Sequence, residues 1–201
     1  MIKNDYIIRL EKAEDYNETE NLVRNCFWNQ FRNGCVEHFV LKNLRNDPDF
    51  IPQLDFVMEK DGQIIGQIIF VKAAIVKDDG GVLPVATFGP VCIHPQYQRK
   101  GYGKILVDYA LEKAAEMGIG AVLIAGNIKF YSHCGITYAR EYGIRYHGLP
   151  EGASDNFFLC KELKKDFLKG ISGEYSTPEG YFIADRKPEE FASFERQFPA
   201  K

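Results

Sequence analysis

The sequence has no apolar run approaching the roughly 18 residues that a membrane-crossing helix needs. Its opening stretch, MIKNDYIIRLEKAEDY, alternates charges with aliphatics and carries no signal-peptide apolar core. Positive charge is not in excess: 25 Lys and Arg against 28 Asp and Glu leave a net charge of −3 and a pI near 5.9. That balance argues against a protein that coats nucleic acid or an anionic membrane, so neither is expected as a partner. Cysteine is sparse, and Cys26, Cys35, Cys92, Cys134 and Cys160 are odd in number and lack zinc-type spacing. A disulfide framework and a structural metal are therefore not expected, and the thiols read as reduced residues of a cytoplasmic protein. Internal repeats and low-complexity segments are missing too.

What is present is a chain of 201 residues, 45% of them apolar, enough for one well-buried core. Tyr6 to Leu10 predicts a first strand, Ala13 to Phe27 a helix, and Val36 to Leu44 a second helix, after which Asp47, Pro48 and Pro52 break the pattern. LDFVMEK and QIIGQIIFVKAAIV flank Asp61-Gly62 and predict a hairpin. Asp78-Asp79-Gly80-Gly81 turns the chain into VLPVATFGPVCI, whose Gly89-Pro90 argues for a bulge or a broken ladder. A helix from about Gly101 to Gly118 buries Ile105, Leu106, Tyr109, Leu111 and Ala115, and AVLIAG follows as a buried strand. Asn127 caps a short helix through His133, which Gly135 closes. Segments Ile136–Tyr146 and Phe157–Leu163 predict two further strands. In the tail, Pro188 opens a helix with Phe191 and Phe194 on one face. The order describes a mixed α/β layer around one sheet.

The chemistry concentrates in VCIHPQYQRKGYGKILV. Two glycines, Gly101 and Gly103, stand where a helix begins, although glycine costs a helix about 1 kcal/mol against alanine. A helix N-terminus presents unpaired N–H groups and the positive end of the dipole to an anion. Glycine leaves room for a diphosphate, and Arg99, Lys100 and Lys104 add positive charge. The competing reading is a solvated basic loop. Neither G-x-G-x-x-G nor G-x-x-x-x-G-K-[ST] is present, so dinucleotide and nucleoside triphosphate loops are disfavoured.

Gln98-Arg99-Lys100-Gly101-Tyr102-Gly103, that is Q-x-x-G-x-G after a strand, closely resembles the acetyl-coenzyme A signature of the GNAT superfamily of N-acetyltransferases. FYSHCGI, Phe130 to Ile136, is similar to that family's F-Y-x-x-x-G-F stretch, with Ile136 in place of the usual phenylalanine. The resemblance spans Tyr6 to Leu163. It implies a central, mostly antiparallel sheet of about seven strands, splayed between the fourth and fifth and flanked by about four helices. Residues 1–165 would form the acetyltransferase domain and 166–201 a C-terminal extension packed on it. The co-substrate would be acetyl-CoA, with no metal, and the acceptor a primary amine of a small molecule or peptide attacking the thioester directly. A monomer or homodimer is expected.

Residue by residue, the resemblance implies that backbone groups of Val91, Cys92 and Ile93 bond the pantetheine arm. The diphosphate would lie on Gln98, Arg99, Lys100, Gly101, Tyr102, Gly103 and Lys104. Tyr131 matches the general acid that protonates the leaving thiolate, against a plain packing role. At Asn127 two readings stand, a pantetheine contact and a helix cap. Val85 to Ile93 contains no carboxylate, which departs from the family's frequent base on that strand. Glu37 and His38 are the substitutes, against a solvent-facing pair. Cys92 with His94 and the His133-Cys134 pair are weaker nucleophile candidates, since direct amine attack needs no covalent enzyme intermediate. Trp28, Asn29, Phe31, Arg32 and His38 are candidates for an acceptor wall. A non-catalytic coenzyme A-binding module and a nucleotide-binding interaction domain are the readings outside this enzyme class.

Overall fold

The computed structural model describes residues 5–201; Met1 to Asn4, the start of the expected acetyltransferase domain, lie outside them. Its strands are β1 (Ile7–Leu10), β2 (Phe56–Lys60), β3 (Gln63–Lys77), β4 (Val82–Ile93), β5 (Ala121–Ala125), β6 (Thr137–Tyr138), β7 (Ile144–Tyr146), β8 (Phe158–Glu162) and β9 (Gly173–Tyr175). The helices are α1 (Tyr16–Phe27), α2 (Glu37–Leu44), α3 (Tyr102–Glu116), α4 (Ile128–Tyr131), α5 (Ile183–Arg186) and α6 (Pro188–Glu195). The strands form one sheet ordered β1-β2-β3-β4-β5-β8-β6, with β9 pairing β3 and β7. This is the mixed, mostly antiparallel sheet with flanking helices that the sequence predicts. The parallel pairs are β4 with β5 and β7 with β9.

Contacts divide the chain into two compact units, one holding the residues up to Ile69 with Gly89–Leu106 and Glu179–Lys201, the other Phe70–Phe88 with Val107–Pro178. In the first unit β1, β2 and the start of β3 form an antiparallel meander. The β2–β3 turn is Asp61-Gly62 at φ 51° and 76°. Two successive positive φ values give a turn whose twist suits a hairpin, and Asp-Gly tolerates them. From Ile64 to Val71 every residue of β3 is buried. The period-two alternation is lost there, as expected of a strand covered on both faces. Helix α1 turns Leu22 and Val23 inward and α2 turns Phe39, Val40, Leu41 and Leu44 inward. Helix α6 opens on Pro188, where the missing N–H has no helical partner to lose.

In the second unit a cluster of Ile75, Val85, Leu123, Ile144, Phe158, Cys160 and Tyr175 forms the core. Strands β5 and β8 share five registered pairs, whereas β4 and β5 share one, Ala86 with Val122. The segment Ile136–Tyr146, expected as one strand, is β6, a 3-10 turn over Ala139–Tyr142, and β7. Gly143 at φ 75° closes that turn, a conformation that glycine reaches without penalty. The other strand beyond the seven expected is β9, whose Gly173 lies against β3 so closely that a built Cβ would stand 2.4 Å from the Val76 carbonyl oxygen.

Candidate active site

In the first unit β4 ends at Ile93 and the chain runs through a 3-10 turn, Pro95–Tyr97, into α3. Arg99 at φ 57° and Gly101 at φ 90° both lie on the left-handed side. The Gly101 carbonyl accepts the Ile105 N–H at 3.1 Å, so Gly101 is the residue on which α3 starts. Backbone N–H groups of Tyr102 and Gly103 open the helix, where no preceding carbonyl of the helix can reach them. Gln98, Arg99, Lys100 and Lys104 are exposed. Tyr102 points its buried ring inward, edge-on to Tyr6 at 6.0 Å and Tyr97 at 6.1 Å, which leaves its backbone as the part a ligand can use. An exposed basic turn, bent by a left-handed glycine onto the start of a 15-residue helix, fits a diphosphate.

Two details refine the expectation for the strand. The Ile93 carbonyl already accepts from Gln98 Nε2 at 2.9 Å and from Cys26 Sγ at 3.3 Å, and the His94 N–H donates to Ile65 at 2.7 Å. Gln98 is thus folded back to tie the turn, and its backbone N–H donates to the Pro95 carbonyl at 3.3 Å. Upstream, the Tyr181 hydroxyl donates to the Gly89 carbonyl at 2.9 Å, so a residue of the tail holds β4 just ahead of Val91. Nothing in the sequence pointed to Tyr181.

In the second unit Asn127 Oδ1 accepts the Lys129 N–H at 3.0 Å, the cap of α4. Tyr131 closes that helix with 9% of its surface exposed. Its ring lies edge-on to Phe88 at 5.9 Å and Phe130 at 4.9 Å. A Cβ built on Gly126 would stand 2.4 Å from the ring, so residue 126 must lack a side chain for Tyr131 to sit there. Burial first, then Cys134, pushes the phenol pKa up. It therefore stays protonated at neutral pH, as a proton donor must.

His38 departs from its expected place. It has no exposed surface, and Phe191, Phe194 and Phe198 surround its ring at 4.9 to 6.1 Å. Its Nε2 lies 2.8 Å from Glu195 Oε2, off the line that a hydrogen bond requires. Burial pushes its pKa down to about 4, against the pull of Glu195. A base must pass its proton to solvent or substrate, and this imidazole has no open side, so it is a packing residue of the helices. Glu37 is half-buried, and its Oε2 accepts from the Val36 N–H at 3.0 Å and from Cys35 Sγ at 3.1 Å. Of the other acceptor candidates, Trp28 lies beneath Arg24 at 4.4 Å. Asn29 Oδ1 accepts the Gly34 N–H, Arg32 pairs with Asp185 at 3.3 Å, and Phe31 is 81% exposed. His94 caps the 3-10 turn through Nδ1. Among the described residues no group of three His, Cys, Asp or Glu side chains could hold a metal ion, and no helix is long and apolar enough to cross a membrane.

Residues 16–136 match the model of the Acetyltransferase (GNAT) family. The chain belongs to that family. Among curated proteins it is similar to the uncharacterized N-acetyltransferase YhbS of Escherichia coli K12, 25% identical over 167 residues, covering 83% of this chain and 93% of that one. The crystal structure of E. coli YhbS in complex with CoA superposes with a TM-score of 0.75 at 25% identity, over 88% of this chain and 92% of that one. A GNAT family acetyltransferase from Brucella melitensis in complex with acetyl-CoA has the same fold, with a TM-score of 0.68 at 20% identity, over 89% of this chain and 99% of that one.

Proposed function

We propose that this chain transfers the acetyl group of acetyl-CoA to a primary amine of a small molecule or peptide, by direct attack within a ternary complex in the cytoplasm. The observation that carries the reading is the turn at Gln98–Lys104: an exposed basic loop with Gly101 at φ 90°, opening a long helix inside the family-matched stretch. The backbone of that turn holds the diphosphate, and Val91 to Ile93 offer their remaining backbone groups to the pantetheine arm. Asn127 bonds the arm with the amide nitrogen that its capping role leaves over. The neutral amine attacks the thioester carbonyl, the C–S bond breaks, and Tyr131 gives the departing thiolate its proton. Glu37 takes the proton of the incoming ammonium. The resident Tyr131, positioned by Gly126, supports catalysis over a donor-binding module without turnover.

Thermal stabilisation tests the donor. Acetyl-CoA should raise the melting temperature while NAD and ATP raise it much less. Gly103→Asp, which sets an anion against the phosphates, should abolish the rise. A variant that keeps the full shift sinks the loop assignment. An amine panel read by thiol release identifies the acceptor class, and Glu37→Gln should slow turnover at pH 7 with recovery at higher pH if Glu37 is the base.

A further inference from the structure

The last stretch of β4, Gly89 to Ile93, has the carbonyls at both its ends held by side chains. The Ile93 carbonyl is tied by Gln98 and Cys26. The Gly89 carbonyl accepts from the Tyr181 hydroxyl at 2.9 Å, across 92 residues of sequence. Gly89 has the greater need of such a restraint. Its φ of 138° is a conformation that side chains rarely adopt, and glycine has the most freedom of any residue to leave it. Pro90 after it has no N–H with which to join a ladder. The Tyr181 ring covers the open side of the glycine, where a built Cβ would stand 4.0 Å from Cε1. Gly89 and Val91 are half-buried while Pro90, Cys92 and Ile93 are buried. This end of the strand is therefore open at the held residue and again two places on.

Tyr181 is itself held. It lies in the 3-10 turn Glu179–Phe182, and Gly180 lets that turn press on the end of α2: a built Cβ would meet Leu44 at 2.8 Å and Asp47 at 2.9 Å. Further on, Phe194 of α6 packs on Phe39 of α2 with ring centroids 5.4 Å apart, and Glu195 accepts from Arg24 Nε of α1 at 2.9 Å. The hydroxyl thus reaches Gly89 from a segment fixed on two helices of the same unit. We infer that Tyr181 is a positioning residue for the donor: through Gly89 it sets the Val91–Ile93 backbone in the orientation that the pantetheine arm requires. The inference rests on the proposed donor reading. Order already present in the free protein is order that binding need not impose, so loss of the hydroxyl is felt as lost affinity. The restraint acts on the strand and not on the Gln98–Lys104 turn, which makes it specific to ligands that carry the arm.

The experiment titrates the full chain calorimetrically with two ligands: acetyl-CoA, and adenosine 3′-phosphate 5′-diphosphate, which keeps the diphosphate and lacks the arm. Tyr181→Phe removes one hydroxyl and leaves the ring on Gly89, so the fold should persist. Acetyl-CoA affinity should fall by about three- to tenfold, the scale of one hydrogen bond, while affinity for the armless ligand stays within about twofold. A general loosening of the fold would weaken both. Lys42→Ala removes the cation that lies 4.3 Å over Phe194 and loosens α6 with the hydroxyl in place; it should bind both ligands as the parent does. Unchanged acetyl-CoA affinity in Tyr181→Phe, an equal loss for both ligands, or the same loss in Lys42→Ala would overturn the inference. Failure of the donor reading shows differently, as a parent that binds neither ligand, and takes the inference with it.

Discussion

The stretch from Gln98 to Lys104 and the stretch from Gly126 to Tyr131 are built in opposite ways. The first is largely exposed apart from Tyr102, its proposed tools are backbone groups, and its glycine is there for a conformation, φ 90° at Gly101. In the second only Tyr131 is buried, that one side chain is the proposed tool, and the glycine is there for space, since a Cβ at 126 would meet the Tyr131 ring at 2.4 Å. A site made of backbone should tolerate altered side chains and fail when the chain is bent differently. A site made of one hydroxyl should do the reverse.

The sharpest break is Tyr131→Phe. It removes the hydroxyl and little volume, so turnover should fall by about 10²–10⁴-fold, the usual worth of a general acid, while acetyl-CoA stabilisation is kept. An unchanged rate on a confirmed acceptor would remove Tyr131 from the chemistry. Next comes the loop: Gly101→Val forces a branched residue into a left-handed backbone at about 1–3 kcal/mol, and donor affinity should drop by about tenfold or more. Arg99→Ala and Lys100→Ala, at exposed charges, should each weaken it by about fivefold or less. Equal losses from all three would mean that charge, and not backbone geometry, makes the site.

Smaller effects come from buried ionisable groups. His38 has a folded pKa near 4 against 6.5 unfolded, so between those values the unfolded chain binds more protons. Its contribution to stability is therefore present above about pH 6.5 and lost as pH falls towards 4, by at most about 3 kcal/mol at 1.36 kcal/mol per unit. His38→Asn should flatten the melting temperature between pH 7 and 5; an unaltered slope would refute this. Asp55 has the opposite sign. Burial first, then Glu11, pushes it up to about 9, so it keeps its proton at neutral pH beside Gln67 at 3.5 Å. Its contribution falls as pH rises from its ordinary 3.8 towards 9. Asp55→Asn imitates the protonated form and should gain stability on the parent between pH 6 and 8.5, with the gain growing as pH rises.

How far these regions were legible follows from what fixes each. Asp61-Gly62, Asn127 and Pro188 act locally, so the hairpin, the α4 cap and the start of α6 could be read where they stand. The Gln98–Lys104 turn is a local motif as well, glycine at a fixed step from a strand end. Three features depend on distant partners and left no periodic trace. Strand β9 is three residues long and exists because Tyr175 packs on Phe158, with ring centroids 5.2 Å apart. His38 reads as a surface neighbour of Glu37 until the tail lays Phe194 and Phe198 over it. Tyr181 finds Gly89 across 92 residues.

The donor of that last hydrogen bond, Tyr181, lies outside the family-matched stretch, which ends at residue 136, and its acceptor Gly89 lies within it. The Gly89 carbonyl it holds immediately precedes Pro90 and the Val91–Ile93 strand end. A change at Tyr181, or a cut ahead of it, would therefore release this carbonyl of β4 without altering a residue of the Gln98–Lys104 turn. On the proposed donor reading, selection and engineering alike thus have a handle on donor affinity in a part of the chain remote in sequence from the turn.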